Sequence, residues 1–95
     1  MSKVPTAREV ADTKLQYLPG TRIKLEHMVD AYAVPTGTRG IVDHVDDAGQ
    51  IHMRWDNGRT LAVIPGIDNF RKLTPQEIQE EQQGIPVPQM EEQSI

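Results

Sequence analysis

Apolar and polar positions alternate over Thr21 to Met28, where Ile23 and Leu25 are separated by Arg22, Lys24 and Glu26. That period of two predicts a strand with one buried face. Thr38 to Asp46 is a β-branched run, and Gln50 to Trp55 alternates Ile51, Met53 and Trp55 with His52 and Arg54. With Asp47-Ala48-Gly49 as the turn between them, the two segments predict a hairpin. Asp56-Asn57-Gly58 reads as a second tight turn with Gly58 at positive φ, followed by a strand over Arg59 to Ile64. Pro65-Gly66-Ile67-Asp68-Asn69 breaks the ladder before a short last strand, Phe70 to Leu73. Val29 to Gly37 follows neither period and reads as a long loop. Five short strands in this space predict a small barrel. Strand parity draws its core from Ile23, Leu25, Val42, Ile51, Met53, Leu61, Val63 and Phe70.

Helical signals flank the strands. Thr6 with Glu9 three residues later has capping-box spacing and predicts a helix over Ala7 to Tyr17, with Val10, Ala11, Leu15 and Leu18 on its apolar face and Pro19-Gly20 as its stop. Thr74-Pro75-Gln76-Glu77 repeats the signal with proline at the first helical position. This second helix, Thr74 to Gln83, carries only Ile78 as a large apolar residue, so it has little to bury. Ile85-Pro86-Val87-Pro88 then favours an extended, polyproline-like path. The division is a helical arm (1–18), a barrel (19–73) and a helix with a Gln/Glu/Pro-containing tail (74–95).

Ninety-five residues, 37% hydrophobic and 25% charged, suffice for one small domain. No apolar run approaches the roughly 20 residues of a membrane helix, and the N-terminus lacks a secretory apolar stretch, so a cytoplasmic location is expected. The absence of Cys excludes disulfides, thiolate catalysis and sulfur-based metal sites. The net charge of -4 argues against nucleic-acid binding by bulk charge. Charge is nevertheless uneven, basic before Leu25 and acidic after it.

The candidate chemistry is sparse. His27, His44 and His52 lie among Asp43, Asp46, Asp47 and Asp56 without a tight ligand spacing, so no metal or other cofactor is expected. Aspartates in the two turns are there to bond nearby backbone amides. Ser2 and Ser94 are terminal, and no phosphate-binding glycine motif occurs, which points away from an enzyme. Parity places His52 and Arg54 on the face opposite Trp55. Together with Arg59 and Arg39 they form a candidate basic patch for phosphate or a carboxylate-bearing partner. Trp55 has two readings, a core residue or an aromatic on a binding surface. In the tail, Ile85, Val87 and Met90 are candidate partner contacts.

Pro19-Gly20-Thr21-Arg22-Ile23-Lys24-Leu25, Met28-Val29-Asp30-Ala31-Tyr32, Pro35-Thr36-Gly37-Thr38-Arg39-Gly40-Ile41-Val42, Val45-Asp46-Asp47-Ala48-Gly49 and Trp55-Asp56-Asn57-Gly58 together resemble an uncharacterised family of short bacterial domains. The resemblance spans roughly Arg8 to Leu73. It implies an SH3-like fold and a setting in phage, conjugative-element and other mobile-element proteins, but no activity. The Gly37 to Val42 block is also similar to the turn-and-strand of ribosome- and transcription-associated SH3-like domains, although both glycines have structural readings. The resulting expectation is a non-catalytic interaction module without membrane association. Its ligand would be another protein, or alternatively nucleic acid held by the basic patch.

Overall fold

The computed structural model describes residues 4–83. The tail positions Ile85, Val87 and Met90 lie outside the described residues. Elements run α1 (Ala7–Gln16), β1 (Arg22–His27), β2 (Arg39–Val45), β3 (Ile51–Trp55), β4 (Asn69–Lys72) and α2 (Pro75–Gln82). The strands form one antiparallel sheet in the order β3-β2-β1-β4. Consecutive strands are neighbours, except that the last returns beside the first.

Five strands and a barrel are the sequence expectation; the sheet is open and has four. Residues 59–64, the expected fourth strand, make a single bridge between Val63 and Ile51, whose backbone groups exchange both hydrogen bonds at 3.0 Å. Nearer the turn, the Trp55 amide donates to the Arg59 carbonyl at 2.7 Å. Between these points the Trp55 indole Nε1 donates to the Leu61 carbonyl at 2.7 Å. A side chain thus engages a carbonyl that a continuous ladder would use, and the segment stays irregular.

The core holds the inward residues of three strands: Ile23 and Leu25 from β1, Val42 from β2, and Ile51, Met53 and Trp55 from β3. Val63 joins them from the bridge, Met28 from just past the end of β1, where the alternation expected the strand to continue, and Val34 from the loop that follows neither period. Leu61 and Phe70, expected inside, are half-buried and pack against the edge of this cluster. Loop 28–37 is fixed from two sides. Buried Asp68 accepts from the Val29 and Ile64 amides at 2.9 and 2.8 Å, so one carboxylate ties this loop to residues 64–68.

Both hairpin turns follow their sequence signals. Asp46 Oδ1 accepts from the Ala48 and Gln50 amides at 3.0 and 2.9 Å, and Asn57 Oδ1 from the Arg59 amide at 3.0 Å. Gly58 sits at φ 91°, where a Cβ would be strained.

Both capping boxes are formed, Thr6 with Glu9 and Thr74 with Glu77. Helix α1 departs from its expected face. Val10 is buried, but Leu15 and Leu18 are 73% and 57% exposed. Contact occurs at the helix ends: Val10 lies close to Gly49 in the β2–β3 turn, and Tyr17 packs edge-on against Phe70 with centroids 5.6 Å apart. The apolar periodicity is longer than the surface beneath it.

Candidate functional site

Strand parity sends Arg22, Lys24 and Glu26 of β1 to the outer side of the sheet, away from Ile23 and Leu25. The register sets Lys24 opposite Arg39 on β2 and opposite Arg71 on β4. Three cations therefore form a row across three strands. Helix α2 lies over this row. Glu77 accepts two hydrogen bonds from Arg71 at 2.8 and 2.9 Å, and its carboxylate is 3.8 Å from Arg39. One turn later Glu81 accepts from Arg22 at 2.6 and 3.1 Å and from Arg39 at 3.2 Å. The remaining edge of the Arg22 guanidinium grips Asp56 bidentately at 2.7 and 2.9 Å. No residue of α2 is fully buried, so charge-assisted hydrogen bonds are its principal attachment.

The carboxylates respond accordingly. Arg71, then the Thr74 amide, holds Glu77 far below the usual carboxylate range. Arg22 lowers Glu81 and Asp56, and these two carboxylates in turn raise the Arg22 guanidinium. A carboxylate depressed in the folded state contributes stability above its unfolded value, about 4.3 for Glu and 3.9 for Asp, and loses it as pH falls through the folded value. Helix α2 should consequently stay docked from pH 7 to 5 and separate from the sheet only below about pH 4. Amide shifts of Glu77 to Gln82 followed by NMR report this. Release near pH 6 would remove carboxylate pairing as its cause.

The expected basic patch is assembled only in part: Arg39, His52 and Arg54 share the outer side of the hairpin, Arg59 does not, and the first three face carboxylates. Arg39 lies under α2. Arg59 turns away, its guanidinium donating to the Tyr32 and Ala33 carbonyls and so anchoring loop 28–37. His52 Nε2 is 2.7 Å from Asp46 Oδ2, His44 Nδ1 is 2.8 Å from Asp43 Oδ2, and the two imidazoles stack at 4.4 Å. Both aspartates are lowered by these contacts. Arg54 is exposed, with Nε 3.7 Å from Asp43. Trp55 is 3% exposed and belongs to the core, so it offers no surface to a ligand. Sequence reasoning passed over Arg22, Arg71, Glu77 and Glu81. The available signal was a pair of glutamates at i and i+4 on a helix with almost nothing apolar, facing strands with basic polar positions.

A second feature is apolar. A groove of about 760 Å³ runs between α1 and residues 64–67, lined by Pro5, Asp12, Thr13, Ile64, Pro65 and Ile67 among others. Ile67 is 52% exposed, and Val4, next to Pro5, is 83% exposed. Among the described residues no cluster of three or more His, Asp and Glu is placed to hold a metal ion, and no helix is long and apolar enough to cross a membrane.

An open antiparallel sheet with a capped helix at each end defines a small, mainly β domain. The chain belongs to the family described as Domain of unknown function (DUF4314), whose model matches residues 6–73. No curated protein matches it. The family match ends at Leu73, before α2. Residues 6–73 hold nine Lys/Arg and nine Asp/Glu, so the acidic excess of the whole chain comes from the segment that follows.

Proposed function

We propose that this chain is a non-catalytic, protein-binding module with an SH3-like architecture, serving a bacterium or its mobile elements. The architectural part is supported by connectivity: a meander of antiparallel neighbours whose last strand returns beside the first, with residues 59–64 continuing from β3 through the Ile51–Val63 bridge. The mobile-element setting rests on the resemblance of the motif blocks.

The observation that carries protein binding is the groove between α1 and residues 64–67. Its volume falls within the roughly 300–1,000 Å³ of ligand sites, and exposed apolar side chains gathered in a concavity mark contact surfaces more often than scattered ones do. The fitting ligand is an extended segment with one apolar anchor beside Ile67 and a basic residue reaching Asp12.

A random peptide library selected on the wild-type chain and counter-screened on Ile67→Glu tests this. Ile67 is half-exposed, so the variant should fold with stability within about 0.5 kcal/mol of wild type. Enriched peptides should share an apolar anchor and lose at least about tenfold in affinity on the variant, equivalent to about 1.4 kcal/mol. No enrichment, or peptides indifferent to Ile67→Glu, would reject the groove.

A further inference from the structure

The outer face of the sheet shares no residue with that groove. Directly opposed like charges destabilise a sheet, yet Arg71, Lys24 and Arg39 stand in register across β4, β1 and β2. Arg22 extends the positive area one pair further along β1, opposite Ile41, and exposed Arg54 lies beyond Ile41 on β3. Such a row is maintained at a cost unless anions neutralise it. Over the row the helix sets two carboxylates, at positions 77 and 81, separated by roughly 6 Å along the helix axis, while Asp56 on Arg22, Glu26 at 3.7 Å from Arg71 and Asp43 at 3.7 Å from Arg54 pair the cations at its edges. Among the described residues, Lys24 has no carboxylate partner, so the helix leaves the centre of the row unneutralised.

We propose that this face binds the phosphodiester backbone of a single-stranded nucleic acid, and that α2 occupies the site in cis as a carboxylate mimic of two successive phosphates. The arginine fork pairs with phosphate as it does with carboxylate. A backbone carrying one charge per nucleotide would meet Lys24 as well as the arginines, which the two glutamates do not. The stacked His44–His52 rings continue the same side of the hairpin beyond Arg54 and offer a planar surface for a base. Position in the chain fits a strap. Helix α2 follows β4 after only Leu73 and Thr74, lies outside the family match, and is fastened chiefly by charge. A tethered competitor acts at an effective concentration in the millimolar range, so it masks the face in the intact chain without abolishing binding. It also reconciles the site with an acidic protein, because the acid excess lies in the segment that contains the mask.

The test uses the full chain and a fluorescein-labelled oligothymidylate of about twelve nucleotides, read by anisotropy from about 50 to 200 mM salt. Glu81→Gln weakens the strap while leaving the Thr74–Glu77 capping box in place. It should bind at least about tenfold more tightly than wild type, with log K falling against log salt at a slope of about −2, as three contacted phosphates require. Adding Arg39→Gln should remove most of that gain and flatten the slope by about 0.7. Arg71→Gln in the same background gives a second reading if Arg39→Gln proves unfolded by far-UV circular dichroism. Equal affinity for Glu81→Gln and wild type would overturn the strap. Binding insensitive to the arginines would overturn the site. Capture of a poly-glutamate peptide by Glu81→Gln with no binding of the oligonucleotide would give the face to an acidic protein instead.

Discussion

Gly40→Val should cost about 3 kcal/mol or more, enough to leave a domain of this size largely unfolded at modest urea concentrations. Gly40 pairs with Trp55 on one side and Ile23 on the other, in the middle of the sheet. A Cβ there would lie 2.7 Å from Trp55 Cε3 and 3.0 Å from both the Arg54 carbonyl oxygen and the Trp55 Cα. Two of those three atoms are backbone, and the third belongs to a buried ring, so no flexible side-chain end can yield. Backbone entropy works the other way, since removing a glycine stiffens the unfolded chain by about 0.4–1 kcal/mol. The contact distances decide the sign. Gly40→Ala should fall between wild type and Gly40→Val, and a urea midpoint for Gly40→Ala equal to wild type would show that β2 and β3 can separate without loss.

The inward side of the sheet was legible in the sequence because alternation is a local property. Ile23, Leu25, Val42, Ile51, Met53 and Val63 all fall in the core, and each capping box needed only residues three apart. What the pattern could not convey was extent. Leu15 and Leu18 continue a helical stripe past the point where the sheet surface supports it, and Leu61 and Phe70 have inward parity but sit at the margin. Residues 59–64 have the composition of a strand, and their irregularity comes from a side chain, the Trp55 indole. Val34 is a core residue in a stretch with no period, because Asp68 and Arg59 fix that loop from elsewhere in the chain.

The candidate site was less legible for a related reason. Arg22 and Glu81 are 59 residues apart, and Arg39 and Glu81 are 42 apart. Seen alone, α2 is a helix with nothing to bury. Seen alone, the polar positions of β1 and β2 are solvated cations. Only the register, which places Lys24 between Arg39 and Arg71, shows that each supplies what the other lacks. Net charge obscured the same relation by averaging an electroneutral family domain with the acidic segment after it.

Trp55→Ala should be the most damaging truncation in the core, at about 3–5 kcal/mol from lost transfer energy and the cavity left behind. The indole does two jobs: it fills space against Gly40, and it satisfies the Leu61 carbonyl. Trp55→Phe separates them, because it retains most of the ring volume but has no donor. The partly buried carbonyl then lacks its partner, at a cost of about 1–3 kcal/mol. The damage should be local first. Hydrogen exchange at the Val63 and Ile51 amides, which make the single bridge, should quicken in Trp55→Phe relative to Val42, whose amide bonds the Thr21 carbonyl. Because Trp55 is the only tryptophan, unfolding must be followed by far-UV circular dichroism rather than intrinsic fluorescence. Equal stability and unchanged exchange at Val63 in Trp55→Phe would mean that the indole hydrogen bond does not hold residues 59–64 in place, and that packing alone does.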